Sequence, residues 1–169
     1  MGGGTRTFTG FNAVDGTFAF QQLDQTKLTL TSSDSYEMLS PDGTRKVFSK
    51  PFIESDGLGG TKRKIFLSQL IDPYGNAVSL SYDALFRVVS ITDTIGQITA
   101  ISYDHLTDSF KITKVTDPFG RFATFDYDFQ GRLVTITDAI GMTSEFTYDA
   151  RRFHYRTDHA APLRGNWLY

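Results

Sequence analysis

Four Tyr-Asp pairs recur through the second half of the chain, at Tyr82-Asp83, Tyr103-Asp104, Tyr127-Asp128 and Tyr148-Asp149, with the tyrosines 21, 24 and 21 residues apart. Each tyrosine stands seven residues after the glycine of an Asp-x-x-Gly tetrapeptide: Asp72 to Gly75, Asp93 to Gly96, Asp117 to Gly120 and Asp138 to Gly141. A fixed short period means one small supersecondary unit stacked on copies of itself, and it outweighs any other signal in the chain. The longer spacing has a local cause. Asp83 to Asp93 and Asp128 to Asp138 each span 10 residues, but Asp104 to Asp117 spans 13, which puts three extra residues around His105 to Ser109.

The unit reads as a β-hairpin. Asp-x-x-Gly suits a type I turn, with Asp first, Pro favoured second (Pro73 and Pro118) and Gly fourth. The aspartate carboxylate accepts backbone N–H groups two residues on and closes the turn. A segment of period two follows. Leu80, Ile101, Phe125 and Phe146 stand two before each tyrosine, and polar Ser81, Ser102, Asp126 and Thr147 stand one before it. That is a half-buried strand. Tyr-Asp opens a second turn, fullest at Gly131-Arg132, and Leu133 to Thr137 leads back to the next Asp-x-x-Gly. The tyrosines are expected to stack as a ladder, with the aspartates bonding turn backbone.

The second strands do not fit a flat ribbon. Apolar residues stand two and five before the aspartate, as Ile91 and Val88, Val115 and Ile112, Ile136 and Leu133. An odd separation means either two partly buried faces or a bulge in each strand, and repeated kinks would curl the sheet.

Upstream, Tyr36 to Phe48 reads as another hairpin around Ser40-Pro41-Asp42-Gly43, and Thr17 to Leu23 with Lys27 to Thr31 as an earlier pair around Asp24-Gln25. The loop at 55–60 is the best boundary candidate. The expected organisation is an N-terminal hairpin region over 1–61, four repeats over 62–153 and an irregular tail over 154–169. No segment shows a helical period. The predicted class is all-β: an antiparallel meander of short hairpin repeats in a curved open sheet. Phe 15 and Tyr 8 agree with that enrichment.

Composition excludes several function classes. Lys+Arg 17 against Asp+Glu 19, net charge −2, argues against a nucleic-acid partner. The absence of cysteine removes a disulfide framework, a thiolate metal site and a cysteine nucleophile. No apolar run approaches a membrane span, and Met1 to Arg6 has no apolar stretch behind it, so neither membrane insertion nor a signal peptide is expected.

The Tyr-Asp pairs, the Asp-x-x-Gly turns and Gly131-Arg132-Leu133 together resemble the YD repeat of the Rhs (rearrangement hot spot) family, over Asp72 to Asp149 and more loosely over Tyr36 to Phe48. Phe86 departs from the pattern by replacing the glycine before Arg87, and the second copy lacks Gly-Arg altogether. The resemblance implies a structural role. Proteins of this kind build a long β-sheet that spirals into a hollow shell around a toxic C-terminal domain, in bacterial competition or virulence. A chain of this length would supply part of such a wall, with the rest of the shell and the enclosed domain as partners, in a secreted or cell-surface setting. Adhesion relatives imply the alternative, a surface module that binds carbohydrate or protein.

The same residues serve as repeat-structural candidates: Asp72, Gly75, Tyr82, Asp83, Asp93, Gly96, Tyr103, Asp104, Asp117, Gly120, Tyr127, Asp128, Gly131, Arg132, Asp138, Gly141, Tyr148 and Asp149. No catalytic residue, metal site or cofactor is expected. Asp126-Tyr127-Asp128 lacks the other ligands of a calcium loop, and Asp72-Pro73 and Asp117-Pro118 are in phase with the repeat, so turn chemistry accounts for them rather than self-cleavage. His154, Asp158 and His159 have no zinc-like spacing. There is no Gly-x-Ser-x-Gly, phosphate loop or dinucleotide fingerprint, so an enzyme is not expected. Tyr74, Ile95, Phe119 and Ile140 occupy the third turn position, where a solvated turn would be polar. Packing over the neighbouring turn is the favoured reading. Tyr74 and Phe119 are the residues offered for a ligand or partner surface.

Overall fold

In the computed structural model, residues 7–55, 57 and 59–148 are described in full and 153–158 by their backbone. The described residues form an all-β meander with no helix, as the period-two patterning predicts. The strands are β1 (Lys27–Ser32), β2 (Ser35–Leu39), β3 (Arg45–Ser55), β4 (Thr61–Ile71), β5 (Ala77–Tyr82), β6 (Val88–Thr92), β7 (Ile98–Ser102), β8 (Lys114–Thr116), β9 (Phe122–Tyr127), β10 (Leu133–Thr137), β11 (Thr143–Tyr148) and β12 (Phe153–Asp158). They form a 12-stranded sheet in chain order, each hydrogen-bonded to the next. Contacts cluster into two units, one of Met1–Ser81 with Ile91–Gln97 and one of Tyr82–Ser90 with Ile98–Tyr169.

In the first unit, β3 and β4 form a hairpin of two 11-residue strands, paired from Arg45↔Ile71 to Ser55↔Thr61. The glycine-rich stretch 55–60 is the connection at its tip. The hairpin around Ser40-Pro41-Asp42-Gly43 is present, with Tyr36↔Phe48 and Leu39↔Arg45 in register. Residues 17–23 are not the strand that the sequence suggests. Instead residues 16–18 make single bonds along the outer edge of β1, from the Phe18 N–H to the Leu28 carbonyl and from the Leu30 N–H to the Gly16 carbonyl. The irregularity follows from Gly16, whose φ of 71° lets Leu30 O come so near that a Cβ would stand 2.6 Å away. Phe18 packs against Phe11 (4.9 Å between centroids), Phe8 and Tyr36, so this segment covers one end of the unit.

In the second unit, β7 to β12 continue the meander. Residues 154–158, expected within an irregular tail, instead continue from Phe153 as β12, which pairs with β11 from Tyr148↔Phe153 to Thr143↔Asp158. Asp149, His159 and the rest of the tail lie outside the described residues. The alternative left open for the second strands is decided for β10 in favour of a bulge. Leu133 opposes Tyr127 and Thr135 opposes Asp126, leaving Val134 as the extra residue. One inserted residue returns Leu133 and Ile136 to one face, which removes the conflict of an odd spacing.

No apolar side chain among the described residues is buried, and Thr26, at 4% exposure, is the one buried residue. Apolar strand positions such as Leu80, Ile101 and Phe125 are half-covered. A sheet reaches full burial only where another layer packs on it.

Candidate functional site

The repeat's recurrent structure is a turn built by one aspartate. In Asp128-Phe129-Gln130-Gly131, the Gly131 N–H bonds the Asp128 carbonyl at 2.8 Å, and the Asp128 N–H bonds the Arg132 carbonyl at 2.9 Å. Carboxylate Oδ1 accepts the backbone N–H groups of Gln130 and Arg132, both at 2.9 Å. Oδ2 accepts the Arg132 guanidinium at 2.7 Å. This is a type I turn followed by a left-handed residue, the usual three-residue hairpin connection. Gly131 takes the left-handed place with φ of 74°.

The same construction appears at Asp72, Asp83, Asp93, Asp117 and Asp138, with Oδ1 always taking the N–H groups two and four residues on. Oδ2 is occupied by Asn76 at Asp72, Arg87 at Asp83 and Arg121 at Asp117. Both turns of the repeat are therefore one device, and the turn at Asp83 is an Asp-x-x-Gly turn with its glycine replaced. Phe86 holds the left-handed conformation there, with φ of 58°, a place where a side chain costs about 1–2 kcal/mol.

Electrostatics follow the bonding. Burial pushes the Asp83 and Asp128 carboxyls up, but the hydrogen bonds from Arg87 and Arg132, side chain and backbone, outweigh it and hold both below the ordinary aspartate value. Asp117 behaves likewise with Arg121. Asp72 is held down first by the Asn76 amide.

The tyrosines connect successive units. Tyr103 donates its hydroxyl to the Val88 carbonyl at 2.9 Å, Tyr127 to Ile112 at 2.7 Å and Tyr148 to Leu133 at 2.7 Å. Burial pushes the Tyr82, Tyr103 and Tyr127 hydroxyls up. Each ring of Tyr103, Tyr127 and Tyr148 is faced by a cation: Arg87 at 4.5 Å, Lys111 at 4.9 Å and Arg132 at 4.6 Å. The ladder is thus made of hydroxyl bonds and cation contacts. Tyr103, Tyr127 and Tyr148 stand at the ends of alternate strands about 10 Å apart, so the cation that precedes the intervening strand, rather than another tyrosine, meets each ring.

The copy without Gly-Arg is completed by other residues. Asp104 does not start a four-residue turn; its N–H bonds Thr113 Oγ1 at 2.9 Å. Asp108 takes over, accepting the Phe110 N–H at 3.0 Å and pairing with Lys111 at 3.8 Å. The three extra residues thus move the turn aspartate along the chain, and Lys111 occupies the place of arginine. Arg87, Arg121, Asp108 and Lys111 are functional in the repeat but were not among the candidates. The signal was available for the arginines, four residues after an aspartate.

Beside this loop lies an open concavity of about 810 Å³, lined among others by Asp104, His105, Lys111, Tyr127 and Phe129. His105 sits edge-on to Tyr127 at 5.5 Å, and its Nδ1 accepts the Asp108 N–H. Asp126 is exposed on β9, while Asp128 is engaged by Arg132, so the Asp-x-Asp carboxylates are not presented together. The turn tips are solvent-facing. Tyr74 is 92% exposed, Ile95 74%, Phe119 70% and Ile140 80%, which overturns the expectation that they pack over neighbouring turns.

Residues 111–139 match the family model of the RHS repeat. This stretch holds the Asp117 and Asp128 turns, Tyr127 and Arg132. Over residues 111–139 the chain carries an RHS repeat. No curated protein matches the chain. The matched stretch thus runs from Lys111, which faces the Tyr127 ring, through two complete turns to the first residues of the Asp138 turn. No helix among the described residues is long and apolar enough to cross a membrane.

Proposed function

We propose that this RHS-repeat chain is non-catalytic wall material of a shell that encloses or delivers a toxic C-terminal domain. Its partners are the rest of that shell and the enclosed domain, and its setting is secreted or at the cell surface. One observation carries the reading: the apolar side chains of the described strands are half-covered or, as at Ile53, Ile98 and Phe122, exposed, and none is buried. Such a sheet gains burial from whatever it encloses or is continued by. The turn-to-turn bonding, which ties backbone and charge into each repeat, serves a wall better than it serves a reaction centre.

Mass spectrometry of the source organism tests this, with peptides from Asp72 to Tyr148 as the handle. The expected product is far longer than 169 residues and continues past Tyr169 into an unrelated domain. A stable product of about this size sinks the shell reading.

A second reading is favoured by the exposure of Tyr74 and Phe119. Exposed aromatic rings are the usual platforms for sugars and protein partners, so a surface module binding carbohydrate or protein is the alternative.

A further inference from the structure

We propose that the outer half of the β3–β4 hairpin is a docking edge for an acidic, extended peptide segment, which adds as a strand to β4 alongside residues 61–65. This inference is independent of the shell reading.

Registers define the edge. β2 meets β3 over Arg45 to Phe48, and β4 meets β5 over Gln69 to Ile71, whereas β3 and β4 stay paired out to Ser55↔Thr61. Over residues 61–65 the ladder pairs β4 with β3 alone. Among the described residues, the outward N–H and C=O groups of residues 61–65 have no ladder partner. Such a row is a template for another strand. The opposite edge, on β3, carries Pro51, which has no N–H to offer and is a poorer template.

Charge selects the occupant. This half of the hairpin carries Lys50, Lys62, Arg63 and Lys64 against Glu54, and residues 61–64 are all exposed. Lys64 pairs with Glu54 at 2.7 Å, and Arg63 pairs with Asp34 at 3.0 Å. Lys62 stands opposite Glu54 in the ladder, and Lys64, with help from Lys62, holds that carboxyl below its ordinary value, so two cations share one carboxylate there. A second copy of β4 would set lysine against lysine, which is destabilising directly across a ladder. The basic run therefore guards the edge against the chain itself and admits a strand of opposite charge. The outer edge of β1 offers no such place, because residues 16–18 already bond to it.

The test uses the 169-residue chain and a labelled ten-residue peptide alternating Glu and Val, read by fluorescence anisotropy. Saturable binding is expected, with slower amide exchange at residues 61–65. Lys62→Glu should weaken it about tenfold, with the far-ultraviolet dichroism of the chain unchanged. The same peptide with a central proline, and its Lys-for-Glu counterpart, should not bind. Equal binding of the proline peptide, exchange unchanged at residues 61–65, or full affinity in Lys62→Glu overturns the proposal. Binding of a sulfated polysaccharide as strongly as the Glu-Val peptide also overturns it, since charge alone would then suffice.

Discussion

The hydroxyl of Tyr148 donates to the carbonyl of Leu133, 15 residues earlier, at 2.7 Å. Leu133 is where β10 departs from simple register with β9, through the extra residue Val134. A bulge takes backbone groups out of the ladder, and they need another partner. The tyrosine supplies it from the following unit, and Arg132, the residue before Leu133, lies against the same ring at 4.6 Å. The repeat period is therefore fixed by a bond between neighbours as well as by the turns.

Removing that hydroxyl tests the idea with minimal disturbance. Tyr103→Phe, Tyr127→Phe and Tyr148→Phe should each lower stability by about 1 kcal/mol, the usual worth of one such bond. Urea midpoints read the loss. Amide exchange should quicken around Val88, Ile112 and Leu133 respectively, because each carbonyl loses its partner. Unchanged midpoints in all three variants would show that the hydroxyl bonds do not hold the units together.

Arg132 acts twice, on Asp128 behind it and on Tyr148 ahead of it. Its side chain is 39% exposed, so the ion pair with Asp128 contributes modestly. Arg132→Ala should cost about 1 kcal/mol, from the cation–π contact together with the carboxylate left without its cation. Arg132→Lys should cost about half of that, because Lys111 already fills the equivalent place at Tyr127. A lysine variant as weak as the alanine variant in urea melts would show that the planar guanidinium is what the site requires.

Much of this was legible in the residues. Asp72 to Gly75 and its three counterparts announce their turns, and the alternation around Leu80 or Phe125 announces strands. What escaped was long-range or tertiary. The carbonyl partner of a tyrosine 15 residues away leaves no local signal. The bulge at Val134 showed only as a conflict of faces. Phe86 was visible as the residue in place of the repeat's glycine, but the residues alone did not say that it keeps the glycine's left-handed conformation. The three-residue insertion concealed that Asp108 and Lys111 stand in for Asp104 and the missing arginine. The apolar residues at the turn tips misled, because position in a repeat says nothing about whether anything covers it.

Acid should loosen the repeat in a defined window. The Asp83 and Asp128 carboxyls are held below the ordinary aspartate value in the folded state. A depressed folded pKa contributes stability that is present above the unfolded value, about 4. It is lost as pH falls through the lower folded value. Stability should thus change little from pH 8 to 5 and fall below about pH 4. In Asp83→Asn and Asp128→Asn the midpoint at pH 7 should drop and the acid slope should flatten. A slope as steep as the parent's in both variants would assign the acid sensitivity elsewhere.

The turn-tip aromatics separate a platform from a packing role. Tyr74 and Phe119 are so exposed that Tyr74→Ser and Phe119→Ser should change stability by less than about 0.5 kcal/mol. Phe119 has one neighbour of note, Arg121 at 5.4 Å from its ring, a contact worth little at so exposed a place. With stability intact, binding becomes a clean readout. A glycan array probed with the parent chain and the double variant should show signals that vanish together with the two rings, if these tips serve recognition. Signals that persist in the double variant would remove Tyr74 and Phe119 from any sugar site. A stability loss of several kcal/mol would instead place them inside a packed surface that their exposure does not reveal.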